Sequence, residues 1–201
     1  RCRLRRWREM AILEFRWHAR AGQGAVTAAK ALADAALLEG KHVQAFPDYA
    51  PERMGAPIRA YNRIATKPIR RHGLVENPQV VIVVDPTLVF SARVIDDVDD
   101  DVVFLINTTK SPADARQALG VDQPVFTVDA TQIAQEEIGL RKPNTPMLGA
   151  AAKVSGVVQL EALLSATEKS FSEKFKRKVV DGNLEAIRRA YNEVRGEAAL
   201  E

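Results

Sequence analysis

The sequence predicts an α/β fold: a single three-layer α/β/α domain with a largely parallel, Rossmann-like sheet. Short apolar runs such as VVIVVD (80–85) are typical of strands that are covered on both faces. Between these runs lie longer segments whose apolar residues recur at spacings of three and four, which indicates amphipathic helices. A glycine loop at 20–24 joins the first strand to the first helix. We expect residues 10–201 to form one domain, because no internal repeat or low-complexity linker divides them.

The first elements lie on either side of the glycine loop. A strand is predicted at 11–17, where apolar and polar residues alternate directly before the loop. A helix follows from Gly24, since apolar residues recur at helical spacing as far as Leu37. Gly40 is placed to end that helix as a left-handed cap.

Two further strands enclose a long connection. A second strand is predicted at 42–46, and the alternation in residues 58–65 predicts a half-exposed strand. The segment PDYAPERMGAP at 47–57 is predicted to be an irregular loop, because prolines punctuate it.

The remaining strands are apolar runs. VVIVVD at 80–85 is unbroken, as expected of a central strand, and residues 102–108 and 125–130 repeat the pattern. Helices are predicted at about 131–138, 147–166 and 182–195.

The charge of the chain is concentrated at its beginning. Residues 1–9 hold five arginines and one glutamate, a net of +4, so the total of +3 leaves about −1 for residues 10–201. A nearly neutral body argues against a nucleic-acid partner. We interpret residues 1–9 as a basic extension, either disordered or an upstream reading of a gene that starts at Met10. No apolar run approaches the roughly 20 residues of a membrane span, so no membrane partner is expected.

Cysteine is confined to the same extension. Cys2 is the only cysteine in the sequence, so the body offers no thiolate for a disulfide, an iron–sulfur cluster or a nucleophile. His18, His42 and His72 show no spacing typical of a metal site. With neither a signal peptide nor a disulfide framework, a cytoplasmic location is predicted.

The glycine loop fits a dinucleotide fingerprint only in part. Gly22 and Gly24 match the first two glycines of G-x-G-x-x-G, but Thr27 occupies the third position and Asp48 lies beyond the second strand. The helix N-terminus behind the loop is suited to an anion, and Arg20 adds a planar guanidinium for phosphate or carboxylate. The simpler alternative is a structural turn between strand and helix.

The second loop contains Glu52 and Arg53 beside Gly55. It should leave the carboxyl edge of the second strand, which is the edge where ligands bind in such sheets. The alternative is a solvated ion pair of little energetic value. A proline-flanked loop of this length is longer than a connection requires, which favours a functional loop.

Both loops resemble those of a known family. The blocks RWHARAGQGAVTAAKALADAA, FPDYAPERMGAPIRAYNRI, PQVVIVVDPTLV and NTPMLGA occur in this order over about residues 10–195. They resemble the gamma subunit of the 2-oxoacid:ferredoxin oxidoreductases, which include pyruvate:ferredoxin oxidoreductase. The positions that match the family pattern are Arg20, Gly22, Gln23, Gly24, Glu52, Arg53, Gly55 and Pro57.

Four positions depart from the family pattern. The family usually has glycine where this chain has Ala19, Ala21, Ala50 and Ala56. Alanine does not share the tolerance of glycine for positive φ angles, so these substitutions bear directly on the backbone of both loops.

The resemblance implies a division of labour among subunits. In such complexes thiamine diphosphate, with Mg²⁺, is held between alpha and beta subunits and attacks the 2-oxoacid. [4Fe-4S] clusters on beta and delta subunits carry electrons to ferredoxin, and coenzyme A, as co-substrate, takes the acyl group. This chain would then bind no cofactor alone and would have no catalytic residue. Arg20, Gly22, Gln23, Gly24, Glu52 and Arg53 are the residues expected at the coenzyme A side of the active site.

Three interpretations remain open from the sequence. The chain is a gamma subunit whose loops meet coenzyme A, a stand-alone nicotinamide-dependent oxidoreductase of Rossmann type, or a purely structural assembly subunit. The small residues of NTPMLGAAAKVSGVVQLEALL (144–164) would permit close packing against another subunit or, equally, inside the chain's own core. The 2-oxoacid itself is not specified, and pyruvate is the default.

Overall fold

A computed structural model describes residues 11–48, 55–90 and 94–196. The described residues form six strands: β1 (Ile12–Arg20), β2 (His42–Asp48), β3 (Pro57–Ala65), β4 (Val80–Val83), β5 (Val103–Asn107) and β6 (Val125–Val128). They also form six α-helices: α1 (Ala25–Leu38), α2 (Pro112–Leu119), α3 (Ala130–Ile138), α4 (Asn144–Ser155), α5 (Leu160–Ser172) and α6 (Arg177–Glu193). A short 3-10 helix, Pro86–Val89, follows β4. Residues 1–9 and Met10 lie outside the described residues, so the prediction of a basic extension is not addressed.

The six strands make one sheet in the order β2-β3-β1-β4-β5-β6. The strands β1, β4, β5 and β6 are parallel, as the apolar runs predict. The strand β3 is antiparallel to β1 and to β2. The predicted α/β class with a largely parallel sheet is therefore confirmed, with an antiparallel strand inserted between β1 and β2.

Side chains on the two sheet faces pack differently. On one face, Phe15 and Trp17 of β1 contribute to a large core that also contains the buried sides of α1, α4 and α6. On the other face, Phe104 and Ile106 of β5 pack with the 3-10 helix and α2. Helical structure on both faces gives the predicted three layers, although the second helical layer covers only the β4–β6 side.

Several boundaries differ from the prediction for local reasons. The helix predicted at 147–166 is two helices, because Gly156 takes φ +60° after α4 and turns the chain. The helix α2 was not predicted; it begins at Pro112, and the Ser111 side chain caps it by accepting a hydrogen bond from the backbone N–H of Asp114. The helix predicted at 182–195 begins earlier, at Arg177. The predicted loop at 47–57 is shorter, since Pro47 and Asp48 complete β2 and Pro57 begins β3.

The small residues of α4 serve the chain's own core. All of the residues from Thr145 to Ala152 are buried, and a Cβ at Gly149 would lie 2.1 Å from the carbonyl oxygen of Ile187 in α6. This close approach of two helices explains the small side chains without another subunit. The interpretation of this segment as an internal core helix is therefore the one that the packing favours.

The chain after α6 extends the sheet. Thr127 of β6 and Arg195 exchange both backbone hydrogen bonds at 2.8 Å, which forms an antiparallel bridge at the outer edge. The helix α6 itself is held to α3 by Arg189, which pairs with Glu136 and Glu137. Within the described ranges, no helix is long and apolar enough to cross a membrane.

Candidate functional site

Four motif segments meet at one edge of the sheet, where the parallel strands end. The strand β1 ends at Arg20, which pairs with Pro57 at the start of β3. The two loops are joined there, because the backbone N–H of Ala21 donates to the carbonyl of Ala56 over 2.9 Å. This is the carboxyl edge predicted for both loops, and it is the usual ligand edge of α/β sheets.

The glycines of the two loops carry the unusual backbone conformations. Gly22, Gly24 and Gly55 have φ angles of +96°, +81° and +82°. These angles are accessible to glycine and strained for other L-residues. Ala19, Ala21 and Ala56 do not have positive φ, so alanine is compatible with the backbone at these three positions. Ala50 lies outside the described residues.

The Arg20 side chain spans the gap between the two loops and the 3-10 helix. Its Nη1 donates to the Gly55 carbonyl over 3.1 Å, and its Nη2 donates to the Thr87 hydroxyl over 2.9 Å. Its Nε lies 3.5 Å from a carboxylate oxygen of Asp85. About a third of the side chain, 35%, stays exposed. Part of the Arg20 side chain is therefore open to solvent, while hydrogen bonds within the chain fix the orientation of its guanidinium.

Asp85 is the centre of this network. Its carboxylate accepts hydrogen bonds from the Gln23 amide at 2.6 Å, from the Thr87 hydroxyl at 2.6 Å and from the Thr87 backbone N–H at 2.9 Å. Burial disfavours the charged form, but these hydrogen bonds and the attraction of Arg20 outweigh it, so the pKa of Asp85 lies below its ordinary value of 3.8. Asp85 is thus ionised near neutral pH and orients Gln23, Thr87 and Arg20 together.

Gln23 closes the glycine loop from inside. Its side-chain oxygen accepts from the backbone N–H of Arg20 at 2.8 Å, and its own backbone N–H donates to the Arg20 carbonyl at 3.0 Å. Gly24 then serves as the residue before α1, with no side chain to cap the helix. The first turn of α1 contains no acidic residue, so its positive end is not neutralised by a side chain of that turn.

Asn144, at the start of α4, approaches the same loop. A Cβ on Gly24 would lie 2.8 Å from the side-chain nitrogen of Asn144, closer than side-chain atoms normally allow. The NTPMLGA block therefore reaches the glycine loop through its first residue. The remainder of that block is buried in the core.

Of the predicted site residues, the structure brings together Arg20, Gly22, Gln23 and Gly24. Glu52 and Arg53 lie outside the described residues, so their contacts remain a prediction. Asp85, Thr87 and Asn144 were not proposed as site residues from the sequence alone. The available signal was Asp-Pro-Thr directly after an unbroken apolar strand, a pattern that places a carboxylate at the carboxyl edge and caps a helical turn.

The topology disfavours a dinucleotide at this loop. In a nucleotide-binding βαβ unit the two strands are neighbours in a parallel sheet, whereas here β3 separates β1 from β2. Asp48, the acidic residue at the end of β2, pairs with Arg59 at 3.0 Å and lies 3.4 Å from the Tyr61 hydroxyl. The residue that would bind a ribose therefore already has protein partners.

A small apolar cavity adjoins the network at the ends of β4 and β5. It has a volume of about 100 Å³ and lies between Pro86, Phe90, Ile106 and Lys110. Phe90 is 75% exposed, which is unusual for a large aromatic side chain. Among the described residues, no group of three or more His, Cys, Asp or Glu side chains is placed to hold a metal ion.

Comparison with known proteins gives a consistent family. Residues 14–193 match the family model of pyruvate ferredoxin/flavodoxin oxidoreductase. The chain is 50% identical over 182 residues to the pyruvate synthase subunit PorC of Thermotoga maritima, covering 90% of this chain and 94% of the relative. It is 44% identical over 181 residues to the common gamma subunit of the pyruvate/ketoisovalerate oxidoreductases of Pyrococcus furiosus, covering 90% and 96% of the two chains.

Solved structures agree with the sequence relatives. The crystal structure of the pyruvate oxidoreductase subunit PORC from Thermotoga maritima matches with a TM-score of 0.83 and 46% identity, covering 94% of this chain and 99% of the other. A 2-oxoglutarate:ferredoxin oxidoreductase from Magnetococcus marinus, solved with 2-oxoglutarate, coenzyme A and succinyl-CoA bound, matches with a TM-score of 0.72 at 18% identity. It covers 91% of this chain and 31% of that longer chain, and at this identity it shows a shared fold.

Proposed function

Because this chain belongs to the pyruvate ferredoxin/flavodoxin oxidoreductase family, we propose that it is the gamma subunit of a 2-oxoacid:ferredoxin oxidoreductase and is inactive alone. The observation that carries this proposal is the 50% identity to PorC over nine-tenths of the chain, together with the matching crystal structure. Pyruvate is the expected substrate, because several of the similar relatives are subunits of pyruvate synthases. The reaction would convert pyruvate, coenzyme A and oxidised ferredoxin to acetyl-CoA, carbon dioxide and reduced ferredoxin.

The chemistry of this reaction would come from the other subunits. Thiamine diphosphate with Mg²⁺ would supply the decarboxylating chemistry, and [4Fe-4S] clusters would carry the electrons. The only cysteine of this chain is Cys2, and its described residues contain no cluster of metal-binding side chains. The alpha, beta and delta subunits, or fused equivalents, are therefore the expected carriers of these cofactors, and ferredoxin is the expected acceptor. A cytoplasmic location remains the expectation.

The gamma chain would contribute to the coenzyme A side of the active site. Arg20 and the loop Gly22–Gly24 lie at the carboxyl edge of the sheet, with part of the guanidinium exposed and the positive end of α1 behind it. Such a helix end contributes roughly 0.3–1 kcal/mol toward a nearby anion. A phosphate of coenzyme A is the anion that we propose. Glu52 and Arg53 are expected to join the site from the sequence pattern.

Asp85 weakens the attraction of Arg20 for an anion, because its negative charge lies 3.5 Å from the Arg20 guanidinium. The exposed side of Arg20 is thus a hydrogen-bond donor of fixed orientation more than a free positive charge. That arrangement suits a ligand or partner that approaches along one direction. The competing function is a joint, in which Arg20 and Arg53 pair with a neighbouring subunit and only fix its position.

Reconstitution tests the subunit assignment. The chain alone should not oxidise 2-oxoacids in the presence of thiamine diphosphate and an electron acceptor, and adding the alpha, beta and delta chains should restore the reaction. Native mass measurement of the mixture should show this chain within the complex. Turnover by the isolated chain, or failure of the wild-type chain to join those subunits, would contradict the assignment.

Substitution of Arg20 or Arg53 distinguishes binding of coenzyme A from contact with a neighbouring subunit. In the reconstituted complex, Arg20→Ala and Arg53→Ala should raise the Michaelis constant for coenzyme A severalfold, because each removes a charge-assisted contact. Arg188→Ala, an exposed arginine on α6, is the matched control and should leave it unchanged. Loss of the complex would identify the loops as joints, and an unchanged Michaelis constant with an intact complex would exclude the coenzyme A contact.

A further inference from the structure

A basic cleft opens beside the edge strand β2, on the sheet face opposite α1. Gln44, Phe46, Arg63, Arg71, His72 and Leu74 line it, and it has a volume of about 480 Å³. Asn62 lies on the α1 face, since its amide donates to the carbonyl of Ala29 in that helix. Because side chains alternate along a strand, Arg63 points to the other face, away from the core that α1 covers.

Arg63 fixes the wall of this cleft. Its Nε pairs with Glu14 at 2.6 Å, and its terminal nitrogens donate to the carbonyls of Gly73 and Leu74 at 3.1 and 3.0 Å. The guanidinium carbon lies 5.4 Å from the centre of the Phe46 ring, and only 4% of the Arg63 side chain is exposed. The segment that carries Arg71 and His72 is therefore held against the sheet, and the cleft is a formed feature of the fold.

The segment that forms the rim is one of two strongly basic runs in residues 10–201, the other being KFKRK at 174–178. Residues 66–73, TKPIRRHG, contain one lysine, two arginines and no acid, a net of +3. Since residues 10–201 sum to about −1, the rest of that body carries about −4. Arg71 is 68% exposed and lies 3.5 Å from Glu14. In the parts of the chain that the structure describes, Lys67 and Arg70 are exposed and have no carboxylate partner within 4.0 Å.

We propose that this cleft and its rim, residues 66–74 with Gln44 and Phe46, dock an acidic segment of another subunit of the complex. Charge complementarity selects an acidic partner, since the rim concentrates positive charge on a body of opposite sign. The half-buried Phe46 ring and Leu74, which is 51% exposed, supply apolar contact between the charges. The proposal rests on the proposed function, because it takes this chain to be one subunit of an oxidoreductase complex.

The distribution of donors favours a polypeptide over a small anion. Arg63, the one buried cation of the cleft, already donates to four groups of its own chain. Of the exposed cations in residues 66–74, Arg71 lines the cleft and lies 3.5 Å from Glu14, whereas Lys67 and Arg70 are not among the lining residues. The strand β2 beside them is the outermost strand of the sheet, so an extended segment can lie along it. An acidic stretch of chain fits this geometry better than one phosphate group does.

Association kinetics with the full set of partner subunits test the proposal. Arg70→Glu/Arg71→Glu should lower the association rate about tenfold at low ionic strength, because reversing surface charge removes electrostatic steering. The difference from wild type should shrink at about 1 M salt, where screening acts over roughly 3 Å. The control Lys176→Glu/Lys178→Glu makes the same charge change at two exposed lysines at the start of α6, and it should associate like wild type.

A second variant controls for the possibility that substitution of Arg71 disturbs folding, because Arg71 contacts the buried Glu14. Lys67→Glu/Arg70→Glu leaves that contact intact and should show the same loss of salt-dependent association. If both rim variants associate like the lysine control, the proposal is wrong while the proposed function stands. If wild type itself does not join the partner subunits, the proposed function is what fails.

Cross-linking identifies the occupant. Because Cys2 is the only cysteine, Cys2→Ser/His72→Cys offers one thiol at the rim of the cleft. With a thiol-directed photo-cross-linker in the assembled complex, the captured peptide should belong to a different subunit and carry a net negative charge. Capture of a basic peptide, of a second copy of this chain, or of no partner peptide would overturn the proposal. The proposal would also be overturned if coenzyme A or inorganic phosphate bound the isolated chain and protected this thiol from modification.

Discussion

At the scale of single residues, Asp85 connects groups that are remote in the sequence. It joins Gln23 of the glycine loop, Thr87 of the 3-10 helix and Arg20 of β1 within 3.5 Å. A carboxylate with three donors and a neighbouring cation is stabilised in its charged form. The orientation of Arg20 therefore depends on a residue that does not itself have to touch a ligand.

Asp85→Asn tests how much the hydrogen bonds of this carboxylate contribute to stability. We expect it to lower the free energy of unfolding by about 1–3 kcal/mol near neutral pH, because it removes charge-assisted hydrogen bonds from a side chain that is 10% exposed. Since the folded-state pKa of Asp85 is lowered, its contribution is present above the ordinary pKa of 3.8 and is lost as the pH falls through the lowered value. Chemical denaturation should thus show a constant difference from wild type between about pH 5 and 7.

The same experiment should show the difference shrinking below about pH 4, where the unfolded chain begins to bind a proton that the folded carboxylate, with its lowered pKa, does not yet bind. Asp122→Asn, at an exposed aspartate, is the control and should change stability by less than about 0.5 kcal/mol. A difference at Asp85 that persists unchanged into strong acid would show that its charge is not what stabilises the network.

His18 on β1 gives a second pH-dependent prediction. Burial, followed by the charges of Arg16 and Arg59, lowers the pKa of His18 from 6.5 to about 3. Between these values the unfolded chain binds a proton that the folded chain does not, so stability should fall as the pH falls below 6.5. At pH 5 the expected loss from this residue is about 2 kcal/mol, at roughly 1.4 kcal/mol per pH unit.

His18→Gln should remove this part of the acid destabilisation, measured by chemical denaturation from pH 7 to pH 5. The matched variant His42→Gln replaces an exposed histidine of β2 and should keep the wild-type slope. Equal slopes for all three proteins would mean that His18 binds its proton equally in the folded and unfolded chains, so that its pKa is not lowered by folding.

At the scale of elements, the contact of α4 with α6 depends on glycine. The Cβ that alanine would add at Gly149 lies 2.1 Å from the Ile187 carbonyl oxygen, so the two helices would have to separate. We expect Gly149→Ala to destabilise the protein by about 2 kcal/mol or more, although alanine is the better helix former. The measurement is thermal and chemical unfolding of the purified chain.

Gly156→Ala is the matched control for this contact. Gly156 has φ +60°, but a Cβ there would meet no atom within 4 Å, so only the backbone conformation is strained. Its expected cost is about 1 kcal/mol. If Gly149→Ala cost no more than this control, the close helix contact would not be a source of stability.

At the scale of the whole molecule, strand order disfavours a nicotinamide site at the glycine loop. Adding NAD to the purified chain should leave its melting temperature unchanged, because β3 separates the two strands of a classical nucleotide site and Asp48 is paired with Arg59. A functional site at a hundredfold excess of ligand over its Kd would stabilise the protein by about 2.7 kcal/mol, a shift of several degrees. Such a shift would restore the nicotinamide interpretation.

The sequence by itself determined the fold class, the strands and the edge of the sheet at which both loops lie. Apolar alternation and unbroken apolar runs are local consequences of burial, so they place β1 through β6 to within a few residues. Positive φ angles favour glycine, and Gly22, Gly24 and Gly55 stand where the backbone requires such angles. The motif blocks indicated the family, and the family model and the relatives confirm it.

Only the tertiary structure decided which residues meet. Strand order depends on long-range pairing that local patterns do not encode, so the position of β3 between β1 and β2 was not predictable from spacing. For the same reason Asp85, Thr87 and Asn144 joined the candidate site only in the fold, across separations of more than sixty residues from the glycine loop. The small residues of α4 likewise became core contacts once α6 was seen to pack on them. Contacts between distant segments are fixed by how the layers pack, and a sequence pattern reports only which side of each element is buried.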